Sequence, residues 1–148
     1  MIDWGSNEFH SVVDMPEEYT ILDLSRGVWS QPETTFSVGK YDEFRPNLYN
    51  TDLFGGERNM HIGIDIGGPV GTPCMAFMDG VISQFGYNPE PGDYGNVIIT
   101  KHEIGGVPIW ALSGHLNAAS IEGIEGGDRV EAGEGMAWFG GFEENGGW

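Results

Sequence analysis

His61 and Asp65 stand four residues apart in the run Asn59-Met60-His61-Ile62-Gly63-Ile64-Asp65-Ile66-Gly67-Gly68-Pro69. An imidazole and a carboxylate can share one metal ion if the backbone brings them together. A straight strand would separate them by roughly 13 Å, far beyond two zinc ligands that each lie about 2 Å from the metal. A helix would close the gap to about 6 Å along its axis. Gly63, Gly67, Gly68 and Pro69 punctuate this run, and isoleucines dominate the rest, so helix is disfavoured. What remains is a bend at Gly63, with His61 on one arm and Asp65 opening the next. Taken alone, the pentapeptide reads as a β-rich core strand carrying an unrelated His and Asp.

Two other positions bear on chemistry, His115 and Tyr94. His115, in Trp110-Ala111-Leu112-Ser113-Gly114-His115-Leu116, stands at the exit of an apolar strand. Beside a metal, such an imidazole holds a developing oxyanion or moves a proton; by itself it is equally a polar residue capping a strand end. Tyr94, next to Gly95, is a candidate to line a substrate groove, with a core or rim aromatic as the alternative. His102 ends a strand and is expected to meet solvent, and His10 matches no pattern. The acidic set Glu122, Glu125, Asp128, Glu131 and Glu134 reads as a solvated face.

From Arg58 the sequence runs R-x-x-H-x-G-x-D-I-x-x-P-x-G-T-P, then passes Asp79-Gly80-Val81, Gly114-His115-Leu116 and Gly127-x-x-Val130-x-x-Gly133. This pattern resembles the lysostaphin-type (LytM-type) zinc metallo-endopeptidases, peptidoglycan-cutting enzymes with the β-sheet fold of the duplicated hybrid motif. The resemblance implies Zn2+ as cofactor, His61 and Asp65 as metal ligands, and His115 as a catalytic histidine. It also implies a third ligand, the second His of a downstream His-x-His, which this sequence lacks. Poor zinc binding and little hydrolysis are therefore expected of the chain as it stands. Residues 21–25, 38–43, 93–95 and 144–148 resemble one branch in particular. Its members are large cytoplasmic proteins that join a kinase-like phosphotransferase domain, a peptidase-like domain and a pyridoxal-phosphate aminotransferase domain. There an Asn-Gly-x-Trp run leads into Pro-Pro-His-Leu-His-Phe, so the resemblance implies a chain cut just ahead of that segment.

The elements that must position these residues are read from composition and pattern. A chain of 148 residues suits one domain with a modest core. Its 25 glycines fall in turn-like pairs without a collagen period, which points to short strands and tight turns. The expected class is all-β, an antiparallel sandwich-like sheet domain. Residues 1–56 are read as an N-terminal arm and linker with one or two short strands, over 19–24 and 34–38; its first part, residues 1–18, is polar and acidic without periodicity and is expected to be a loose arm. Residues 57–148 are read as the metallopeptidase-like β domain, incomplete at its C-terminus. Within it, Asp79-Gly80 flanked by apolar runs predicts a two-residue hairpin. Further strands are expected over 96–103, over 107–113 after Gly105-Gly106, and over 126–130 and 135–139.

Six basic against 23 acidic residues give a formal charge of -17, which disfavours nucleic acid, anionic lipid and wall teichoic acids as partners. No run approaches membrane-spanning length, and the N-terminus shows no signal-peptide pattern, so a cytoplasmic setting is expected. Cys74, the single cysteine, reads as a small buried hydrophobe. Three functions follow. The first is a zinc-dependent peptidase-type domain acting on peptide or peptidoglycan-like substrates. The second is a non-catalytic module of that fold, binding a ligand or partner within a larger enzyme. The third, a lipoyl-like carrier, rests on Gly127, Val130 and Gly133 alone and lacks the exposed lysine that carriers modify.

Overall fold

The structure, a computed structural model, describes residues 2–55 and 58–148; the expected boundary between residues 56 and 57 lies outside the described residues. Among these residues every regular element is a strand, apart from the short 3-10 turns Trp4–Ser6, Asp52–Phe54 and Ala118–Ile121. The all-β expectation holds. Two compact units are formed, one by Met15–Pro69 and the other by Met1–Asp14 with Val70–Trp148.

The first unit contains β1 (Thr20–Leu22), β2 (Ser37–Gly39), β3 (Glu43–Phe44), β4 (Met60–His61) and β5 (Asp65–Gly67). β1 runs parallel to β2, and β2 pairs antiparallel with β5, placing Gly39 opposite Asp65. β3 and β4 form a separate antiparallel ladder with Glu43 opposite His61. Only Ile62, Gly63 and Ile64 lie between β4 and β5. The bend at Gly63 is thus present, and it carries the chain from one ladder to the other.

The second unit holds β6 (Pro73–Met75), β7 (Gly80–Asn88), β8 (Gly95–Ile104), β9 (Val107–Leu116), β10 (Arg129–Val130) and β11 (Gly135–Trp138). Four strands make an antiparallel sheet in the order β10-β7-β8-β9, and β6 pairs with β11 in a second ladder. Between the two lies a core of Cys74, Ala76, Ile82, Ile98, Leu116, Val130 and Ala137. The β8–β9 turn is Gly105-Gly106, with φ of +58° and +79°; a two-residue hairpin needs this left-handed geometry, and glycine adopts it without steric cost. Because successive side chains alternate faces, Ile98, Thr100, His102 and Ile104 all point inward and are buried.

Three expectations change. Asp79-Gly80 turns no hairpin: β6 pairs with β11, whereas β7 pairs with β8 and β10. Neither Asp79 nor Gly80 has the positive φ such a turn requires. Gly80 is glycine because a Cβ there would press on His102 Nδ1 and the Lys101 carbonyl, both 2.5 Å away. His102, expected in solvent, is 3% exposed; its Nδ1 donates to the Asp79 carbonyl (3.0 Å) and the Phe77 ring packs against it, tilted by 58°. The N-terminal arm, expected to be loose, is tied to the sheet by His10 N–H to the Phe77 carbonyl and Met75 N–H to the Val12 carbonyl, each 2.8 Å. Burial of Val13 adds to this.

Ile98 is fully buried at the centre of the core. Ile98→Ala is expected to cost about 3 kcal/mol through lost transfer energy and a residual cavity, read as a lowered urea midpoint with an unchanged m-value.

Candidate metal and catalytic site

In the unit formed by Met15–Pro69, the bend brings His61 Nε2 to 3.1 Å from Asp65 Oδ1. The other imidazole nitrogen, Nδ1, lies 2.9 Å from the Lys40 carbonyl. A carbonyl only accepts, so Nδ1 carries the hydrogen. Asp65 Oδ1 likewise only accepts, so the Nε2–Oδ1 contact is either an ion pair from the protonated ring or the place where a shared cation would meet the Nε2 lone pair. Gly63 keeps the space beside it open, since a Cβ there would sit 3.3 Å from Nε2.

The second Asp65 oxygen, Oδ2, accepts from Arg45 at 2.7 Å. Arg45 is buried, and its Nε donates to Glu43 Oε2 at 2.9 Å. Glu43 Oε1 takes Lys40 Nζ at 3.1 Å and the Leu24 N–H at 3.2 Å. Burial alone would push the Glu43 carboxyl up, but the hydrogen bonds from Arg45, Lys40 and Leu24 together hold it below the usual range. Burial likewise works against the Arg45 charge, and the bonds to Asp65 and Glu43 overcome it, so the guanidinium is held more firmly protonated. Gly39 leaves room for the cluster: a Cβ there would meet Asp65 Oδ2 at 2.6 Å and an Arg45 nitrogen at 2.8 Å. Sequence reasoning missed Arg45 and Glu43. The available signal was their i,i+2 spacing, which puts opposite charges on one face of an extended segment.

In the other unit, His115 and Tyr94 come together. The His115 N–H donates to the Tyr94 carbonyl at 2.6 Å, and the two rings lie 5.8 Å apart. Gly114 permits this, because a Cβ there would meet the Tyr94 ring at 2.7 Å. The β8–β9 register slips between Asn96↔Leu116 and Ile98↔Ser113, so Gly114 and His115 together oppose Val97. This bulge turns His115 into the left-handed region, φ +60°; bulges commonly re-aim a side chain in this way. His115 Nδ1 donates to the Asn145 carbonyl at 2.7 Å, which leaves Nε2 as the ring's acceptor. Tyr94 also lines a groove of about 350 Å³ with Phe85, Asn88, Asp93, Val97 and Leu112. Asn145 was not expected to act here, although Asn followed by two glycines is a turn signature.

Two ligands bound tetrahedrally at about 2 Å lie roughly 3.3 Å apart, so the His61–Asp65 pair fits two positions of a zinc site. Both side chains have the outer hydrogen-bond partners that orient metal ligands, the Lys40 carbonyl and Arg45. Among the described residues no three His, Cys, Asp or Glu side chains gather where they would hold a metal ion.

The profile of peptidase family M23 matches residues 59–147. The chain belongs to this family, whose members are generally metallopeptidases, and its antiparallel all-β fold agrees with that membership. Over 73 residues it is 38% identical to the DD-carboxypeptidase/endopeptidase Mpg of Neisseria meningitidis serogroup B, a match covering 48% of this chain and 16% of that protein. Over 61 residues it is 39% identical to the protein of the same name from Neisseria gonorrhoeae, covering 41% of this chain and 13% of that protein. The chain therefore spans well under a fifth of the length of these curated relatives. No solved structure matches it at the same significance.

The depressed Glu43 carboxyl makes stability depend on pH. Its ion pairs contribute fully above the unfolded glutamate value of about 4.3 and are lost as pH falls through the lower folded value. Glu43→Gln is expected to be less stable than the parent at neutral pH, with the gap closing as acid protonates the parent's carboxyl. Urea unfolding of both proteins across the acid range checks this.

Proposed function

We propose that this chain is a zinc-dependent metallo-endopeptidase-type domain that hydrolyses peptide bonds in peptidoglycan cross-link-like substrates. His61 and Asp65 are the metal ligands, His115 is the catalytic histidine, and Tyr94 lines the substrate groove. The observation that carries this reading is the 3.1 Å approach of His61 Nε2 to Asp65 Oδ1, with the far side of each ligand held by its own hydrogen bond. A bound zinc supplies Lewis acidity to the scissile carbonyl and lowers the pKa of water. The chain's own groups do the rest. Arg45 neutralises and aims Asp65, the Lys40 carbonyl sets the His61 tautomer, and His115 receives or returns a proton at Nε2. The strongly acidic surface favours neutral or cationic peptides over polyanionic wall polymers.

On the resemblance of residues 21–25, 38–43, 93–95 and 144–148, we place this domain inside a larger cytoplasmic protein, beside kinase-like and aminotransferase domains. Residues 1–56 serve there as arm and linker and 57–148 as the peptidase-like part. A second reading, a non-catalytic binding module of the same fold, is favoured by one observation: no three His, Cys, Asp or Glu side chains gather among the described residues, whereas a catalytic zinc uses three protein ligands.

Zinc separates the two. The chain of 148 residues is expected to bind zinc weakly and turn over little. Extension by a Pro-Pro-His-Leu-His-Phe tail should raise affinity at least about 10–100-fold, the range that even an outer partner controls, and bring peptidase turnover. His61→Ala and Asp65→Ala should abolish the gain. Competition titration and hydrolysis of a peptidoglycan-derived peptide measure both. Zinc affinity indifferent to His61 and Asp65 would remove the metallopeptidase reading.

A further inference from the structure

We propose that Asn145 is the positioning residue for His115, fixing the imidazole as the Nδ1–H tautomer so that Nε2 is free to take a proton. The inference deepens the reading of His115 as a catalytic histidine and rests on it. The Asn145 main-chain carbonyl accepts from His115 Nδ1 at 2.7 Å. A carbonyl has no hydrogen to give, so this contact selects one tautomer of the neutral ring.

What places that carbonyl is the Asn145 side chain. It is 6% exposed and closes the turn over 145–148 from within. Its Oδ1 accepts from the Gly147 N–H at 3.1 Å and the Trp148 N–H at 2.9 Å. Its Nδ2 donates to the Gly140 carbonyl at 3.2 Å and the Trp148 carbonyl at 2.6 Å. Two acceptor contacts and two donor contacts match the amide's chemistry and leave no alternative flip. Aspartate offers only the acceptors, and alanine neither.

The surrounding backbone is built to receive this turn. Gly146 has φ +87° and lies against the Asp93 carbonyl, where a Cβ would collide. Gly95, at φ +60°, is likewise placed where a Cβ would collide with the Asn145 backbone. Asn96 Nδ2 bridges the Leu116 and Glu144 carbonyls at 3.2 and 3.0 Å, tying the turn to β8 and to the strand that carries His115. His115 itself sits in a left-handed conformation that is uncommon for a side chain of its size. A residue held this way keeps a fixed ring only if its surroundings over-determine it.

The test is 15N NMR of the metal-free chain at a pH where its histidines are neutral. His102 serves as internal reference, because its Nδ1 bonds to a different carbonyl, that of Asp79. In the parent, His115 should show widely separated ring-nitrogen shifts with the hydrogen on Nδ1. In Asn145→Ala those shifts should draw together as the Nε2–H form enters, with His102 unchanged; a general loosening would move both rings. Asn145→Asp keeps the two acceptor contacts and should give an intermediate result, and it carries the test if the alanine variant does not fold. A His115 tautomer that is unchanged in the folded variants, or Nε2–H in the parent, would overturn the proposal. If the tautomer responds as stated but His115→Ala leaves peptidase turnover of the tail-extended chain intact, the positioning role stands and the catalytic reading of His115 falls.

Discussion

An arginine only 5% exposed has lost most of its water, and its charge persists in a folded chain only if anions replace that hydration. Arg45 meets this constraint with Glu43 on one side and Asp65 on the other. The consequences spread through the unit formed by Met15–Pro69. Glu43 lies on β3 and Asp65 on β5, so one side chain links two ladders that share no strand. Gly39 must lack a Cβ to admit the cluster. Asp65, held by Arg45 through Oδ2, is left with Oδ1 toward His61. The geometry of the proposed ligand pair is thus set by a cation that touches no metal.

The second unit solves a related problem by different means. A regular β9 would alternate its side chains strictly between two faces. One extra residue at Gly114-His115 breaks that alternation. The resulting left-handed residue is held by three hydrogen bonds, to Tyr94, Gly140 and Asn145. Strained backbone of this kind persists where neighbouring structure over-determines it. Here those neighbours are glycines 95, 114 and 146, each seated where a Cβ would collide.

Seen together, the two arrangements follow one rule. Each imidazole donates Nδ1–H to a main-chain carbonyl, Lys40 for His61 and Asn145 for His115, and each thereby turns Nε2 away from the carbonyl that holds it. A backbone acceptor is well suited to this, since it neither titrates nor rotates as a side chain does.

Much of this was legible before folding. Isoleucines broken by Gly63 excluded a helix and required a bend between His61 and Asp65, because local sterics act over a few residues wherever they lie. Gly105-Gly106 likewise turned as read, as only left-handed residues close a two-residue hairpin. Asp79-Gly80 carried an equally strong local signal and failed, because strand partners are chosen by packing across the sheet: β6 pairs with β11, and β7 with β8 and β10. His102 could not be assigned to a face until the alternation of β8 was anchored by the burial of Ile98. Arg45, Glu43 and Asn145 escaped notice for a similar reason, since nothing local announces that a charge or an amide will be dehydrated. By itself, then, the sequence determined the strand-rich class, the bend at Gly63 and the turn at Gly105-Gly106, and it named the candidate residues for chemistry. Only tertiary structure decided which strands pair, which polar groups lose their water and which carbonyl each histidine meets, because those outcomes depend on segments distant in the chain competing for the same contacts.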